Sequence, residues 1–172
     1  MKFVLYFLSI VILTGLSVGI FQPLAFFGVV PNLLFLSVLV LALDKQEQSY
    51  LIYAIMAGVW LDFYSTVPIG SFSITFLIIA SGVRFFVFAI VPYELHFRHI
   101  LAISVTAVAL FYLLYTGYVL AFSSFANLPQ LLTYKEVLLK LPYQVLYGIV
   151  CLYPVYVFMV GIRKFLFKLN PR

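Results

Sequence analysis

Charge is what this chain has least of. Only 9% of its 172 residues are Asp, Glu, Lys or Arg, against about 25% in a typical soluble domain. So few charges exclude a water-facing surface of ordinary size. Cysteine is nearly absent as well: Cys151 stands alone, which excludes an intramolecular disulfide and a cysteine metal cluster. The chain also lacks a Gly-rich phosphate loop, a zinc-ligand set and a Ser/His/Asp arrangement in a supporting context. No catalytic residue, metal or cofactor is expected, and the function expected is not enzymatic.

What fills the space is apolar. Hydrophobic residues make up 66% of the chain, and the mean hydropathy is +1.20. They occupy whole windows of helical length rather than amphipathic stripes. Crossing about 30 Å of hydrocarbon takes roughly 20 such residues. The chain therefore reads as one all-α integral membrane domain over residues 1–172, a compact bundle of about six transmembrane helices. The spans fall near 3–21, 28–43, 49–64, 70–91, 100–122 and 142–165. The first opens with Lys2 but outlasts a signal-peptide core and meets no small-x-small cleavage pattern, so it reads as a retained span. The second begins at Pro31 and Asn32, and Pro31 suits a first helical turn. It is short for a full crossing, which predicts shielding inside the bundle. The longest connection, Ser123 to Leu141, has room for a short interfacial helix.

The few charges report orientation. With six spans, Lys2, Lys45, Arg84, Arg98, Arg163, Lys164, Lys168 and Arg172 share one side, and only Lys135 and Lys140 fall on the other. Basic residues are retained in the cytoplasm, so both termini are expected there. The formal charge of +5 is thus accounted for without nucleic acid. Arg163, Lys164, Lys168 and Arg172 form a basic tail suited to anionic lipid headgroups. Arg84 is expected to snorkel to the same surface. Tyr50, Tyr53, Tyr64, Tyr93, Tyr134 and Tyr143 read as an interfacial aromatic belt. His96 and His99 bracket Arg98 with Glu94 nearby, which reads as a polar turn rather than a metal site.

Asp62 stands out, because a carboxylate at bilayer depth is costly and faces the bundle interior or water. Gly58 shares its helix face one turn away. Two readings stay open: a structural acceptor for a neighbouring helix end, with Ser65, Thr66, Ser71 or Ser73 as donors, and a ligand or ion site. Gly15-x3-Gly19 has the small-xxx-small spacing of close helix packing.

The order Pro31-Asn32-Leu33-Leu34, Gly58-x3-Asp62 and Gly70, followed more loosely by Leu141-Pro142 and Arg163-Lys164, resembles the rod shape-determining protein MreD family. The likeness is strongest over residues 28–80, and Pro68 is a local departure. The resemblance implies a fold similar to the substrate-binding subunits of energy-coupling-factor transporters. It also implies a non-catalytic scaffold of the bacterial inner membrane that controls rod shape and lateral peptidoglycan synthesis. Its implied partners are MreC directly, and MreB and the RodA–transpeptidase pair indirectly. Pro31, Asn32, Gly58, Asp62 and Gly70 would form the partner-binding or structural motif. The alternative is a small-molecule, vitamin-type binding subunit of an uptake transporter, with Asp62 in its pocket.

Overall fold

The computed structural model describes residues 2–25, 28–45, 47–65, 69–90, 97–125 and 134–169. Its elements are helical: α1 (Lys2–Leu16), continued by a wider π-helical turn over Ser17–Phe21, then α2 (Leu33–Leu43), α3 (Tyr50–Tyr64), α4 (Ser71–Ile90), α5 (Phe97–Phe125) and α6 (Tyr134–Leu169). Phe3–Phe21, Ser71–Ala89, Ile100–Tyr118 and Leu139–Phe165 are long and apolar enough to cross a bilayer. The protein is therefore a helical membrane protein. Of the six spans expected, four have full length. α2 and α3, with 11 and 15 residues, reach only about 16 and 22 Å at ~1.5 Å per residue.

Two boundaries differ from the sequence expectation for a shared reason, the behaviour of proline. Pro31 precedes α2 instead of opening it: Asn32 is the N-cap, and its side chain accepts a hydrogen bond from the Phe35 amide at 3.0 Å. Pro142 does not start the last helix but lies inside it, as does Pro154. Membrane helices tolerate proline because neighbouring groups satisfy the freed carbonyl. The last helix therefore begins at Tyr134, and no separate interfacial helix occupies 134–141.

The short α2 is the axis of the bundle. All eleven of its residues are buried, as expected for a helix too short to span, and it packs against the other five helices. A helix whose one polar side chain is Ser37 fits only where neighbours surround it. Phe35 stacks on Phe111 of α5 at 4.4 Å between ring centroids and lies 5.6 Å from Phe76 of α4. Phe72 and Tyr115 extend this aromatic core, 5.0 Å apart.

Polar links cross the same core. Tyr53, expected in the interfacial belt, is instead buried, its hydroxyl 2.9 Å from Ser37 Oγ and 3.3 Å from Ser9 Oγ. These hydroxyls satisfy one another between α1, α2 and α3, which makes the position tolerable in an apolar interior. Trp60 Nε1 donates to Thr14 Oγ1 at 3.0 Å, tying α3 to α1. Successive helices alternate in direction. One end of the bundle, here the basal end, holds the start of α1, the α2–α3 turn and the close of α4 and α6. The far end holds the start of α2, the α3–α4 corner and the Leu24 carbonyl, which accepts from the Tyr147 hydroxyl at 3.2 Å.

Candidate functional site

The far-end site is built where α3 meets α4, the most extensive helix pair among the described residues. Asp62 lies in the last turn of α3 and is 3% exposed. Its Oδ1 accepts from the Phe72 amide at 2.9 Å; its Oδ2 accepts from the Ser73 amide at 3.3 Å and from Ser73 Oγ at 2.7 Å. Phe72 and Ser73 belong to the first turn of α4, whose amides have no partner within their own helix. Asp62 thus caps a neighbouring helix from outside it. The negative carboxylate also sits at the positive end of the α4 dipole. In the structure Asp62 is an acceptor for a neighbouring helix end, with Ser73 as its side-chain donor. Ser65 bonds the Asp62 backbone carbonyl instead, at 3.3 Å.

Gly58 and Gly70 serve the same corner. A Cβ placed on Gly58 would lie 2.4 Å from Ser73 Cα and 2.7 Å from Ser73 N. Only glycine lets α3 come this near to α4. Gly70 has a φ of +101°, a conformation glycine adopts without steric penalty, and its carbonyl accepts the first α4 bond, from Ile74 N at 2.9 Å. Gly58, Asp62 and Gly70 therefore converge on one helix start. Asn32 caps α2 at the same end of the bundle.

The basal end holds a second polar cluster. Arg84 does not snorkel: it is only 9% exposed and caps the C-terminal end of α2. Its guanidinium donates to the carbonyls of Ala42 and Asp44 and, at 2.8 Å, to that of Lys45. It lies over the rings of Phe88 and Tyr50, 4.7 and 5.1 Å from their centroids. Arg163, expected at lipid headgroups, is ion-paired with Asp44 instead. Glu47 is buried, accepts from the Ser49 amide at 3.0 Å and lies close to the Tyr6 side chain of α1. Sequence reasoning misses Asp44 and Glu47 as site residues, because it takes loop charges only as markers of orientation. The available signal is the shortness of α2, which pulls its turn inward to the depth of Arg84.

Other expectations fall as follows. Gly15 and Gly19 have open space where a Cβ would stand, with nothing within 4 Å, so neither packs against another described helix of this chain. Lys164 is exposed on α6, as headgroup contact requires. Lys168 is placed on α6 by its backbone. Thr66, Pro68, Tyr93, Glu94, His96 and Arg172 lie outside the described residues. Among the described residues no group of three or more His, Cys, Asp and Glu side chains is placed to hold a metal ion. Chemically, both clusters cap helix ends and join helices. No family profile, curated protein or solved structure matches the chain.

Proposed function

We propose that this chain is a non-catalytic scaffold of the bacterial inner membrane, of the MreD type, that supports cell elongation and lateral peptidoglycan synthesis by associating with MreC. MreB and the RodA–transpeptidase pair would be reached indirectly. The observation that carries this reading is the α3–α4 corner. Both Asp62 oxygens are engaged in capping α4, so the motif residues build a rigid platform. Beside them Phe63, Tyr64 and Ile69 project exposed, an apolar surface of the kind that anchors a partner. On this reading both termini lie in the cytoplasm and Lys164 and its basic neighbours touch anionic lipid. A vitamin-type binding subunit has less support, because the deep carboxylate at this end is enclosed and already accepts three hydrogen bonds from α4.

Co-purification with MreC tests the proposal. A Phe63→Ala, Ile69→Ala double variant should insert normally and lose most of its MreC, and Asp62→Ala should do the same by loosening the corner. Full recovery of MreC together with normal rod shape in both variants would overturn it. A small molecule retained in native mass spectrometry would favour the transporter reading.

A further inference from the structure

α2 hides its shortness inside the bundle, but α3 does not. Leu51, Ile52, Ile55 and Val59 are exposed along it, so its outer face meets lipid directly. Its 15 residues reach about 22 Å at ~1.5 Å per residue, against about 30 Å of hydrocarbon. The neighbouring α4, with 20 residues, reaches about 30 Å. At the far end the two helices are level, because Asp62 in the last turn of α3 accepts from the Phe72 and Ser73 amides in the first turn of α4. The shortfall of about 8 Å therefore falls at the basal end. A separate contact gives nearly the same figure. Arg84, which holds the α2–α3 turn through the Lys45 carbonyl, stands six residues before the close of α4 at Ile90, or about 9 Å.

What lies at that recessed level is polar. Gln48 is exposed, and the side chains of Asp44 and Arg163 are 23% and 31% exposed. On another side of α4, next to Arg84 in the chain, Phe85 is 77% exposed, and Phe86 and Phe88 beyond it are exposed too. One depth is thus polar at the turn and apolar on the outer side of α4. A flat leaflet suits only one of them. Level with the end of α4, it leaves the Gln48 amide and a partly exposed ion pair in hydrocarbon, which is costly. Level with the turn, it leaves the phenylalanines in water. Deforming a bilayer carries only a modest cost per ångström, so the lipid yields first.

We infer that the protein indents the leaflet at its basal end. Beside α3 and the α2–α3 turn, phospholipid headgroups and water descend about 8–9 Å, while the leaflet keeps its ordinary height around the outer side of α4. The partner of this surface is the bilayer itself, thinned along α3 to about 22 Å. Such a patch favours phospholipids with short acyl chains, which need less compression. The inference rests on helix lengths and depths. It depends neither on MreC as a partner nor on which side of the membrane the basal end faces.

The test uses the full chain with Cys151→Ala, in nanodiscs of palmitoyl-oleoyl phosphatidylglycerol, which leave both faces open to solvent. Gln48→Cys, Leu51→Cys and Phe85→Cys each replace an exposed side chain, so the fold is kept. A membrane-impermeant maleimide reacts with the thiolate and so needs water at the sulfur. It should label Gln48→Cys fully and leave Phe85→Cys unlabelled until detergent is added. In parallel, a fluorophore on Leu51→Cys should be quenched by headgroup-spin-labelled lipid, and one on Phe85→Cys should not. Maleimide labelling of both positions, of neither, or of Phe85→Cys alone would overturn the inference. Labelling of Gln48→Cys with Leu51→Cys unquenched would mean a water-filled crevice without displaced lipid, and would overturn it equally.

Discussion

A single methyl group at Gly58 has nowhere to go. The nearest atoms are the Ser73 backbone, which the Asp62 bonds hold in place, so the added carbon must push α3 away from α4. Gly58→Ala should cost about 1–3 kcal/mol of stability, read as a lowered midpoint in a denaturing-detergent titration. Gly15→Ala and Gly19→Ala, with open space around them, should leave that midpoint unchanged. Asp62→Ala removes the partner of two amides and one hydroxyl. It should destabilise the bundle by about 3 kcal/mol, combining a lost cap with buried donors left unsatisfied. An Asp62→Ala midpoint equal to that of the parent would mean that α4 starts without this cap.

At the scale of elements, the half-length α2 is held by a side chain at each end. Asn32 supplies the N-cap within its own helix, and Asn32→Ala should cost about 1 kcal/mol. Arg84 supplies the other cap from α4. Its removal in Arg84→Met strands carbonyls that no residue of α2 can reach, and should cost about 2–4 kcal/mol. Hydrogen exchange followed by mass spectrometry distinguishes the two ends: Arg84→Met should speed exchange in Leu41–Ser49 and leave the Tyr50–Tyr64 helix protected. Exchange spread evenly over the chain would show that Arg84 is not a local cap. The close of α4 at Ile90 and of α6 at Leu169 each lie six residues beyond the cluster arginine. At ~1.5 Å per residue the charged turn is therefore recessed about 9 Å from those helix ends. Recession is why Glu47 is buried and why Asp44, still partly exposed, pairs with Arg163.

For the whole molecule, the alternation of helices puts the start of α1 and the close of α6 at one end of the bundle, where Tyr6 meets Glu47 and Asp44 meets Arg163. The bias of basic residues predicts that this end faces the cytoplasm. A phosphatase fused after Arg172 should accordingly be inactive, and strong activity would invert the topology. The Asp44–Arg163 pair also ties α6 to the turn that closes α2. Arg163→Gln should loosen the end of α6, seen as faster exchange from Phe158 onward.

Membrane class and approximate helix positions were legible in the chain itself, because lipid demands long uncharged runs and every backbone group bonded within its helix. The enclosure of α2 was legible too, from its shortness. The positions of Asp62 and Gly58 marked them as special, since a deep carboxylate and a glycine one turn away are conspicuous in an apolar helix. What they contact was decided only by tertiary structure. Asp62 commits its oxygens to α4, Arg84 turns inward to α2, Arg163 finds Asp44, and Tyr53 leaves the interface for Ser37 and Ser9. Each outcome depends on which helix stands opposite and at what depth. Hydropathy along one chain carries neither quantity, because a lipid-facing run and a core-facing run have the same composition when the solvent is hydrocarbon.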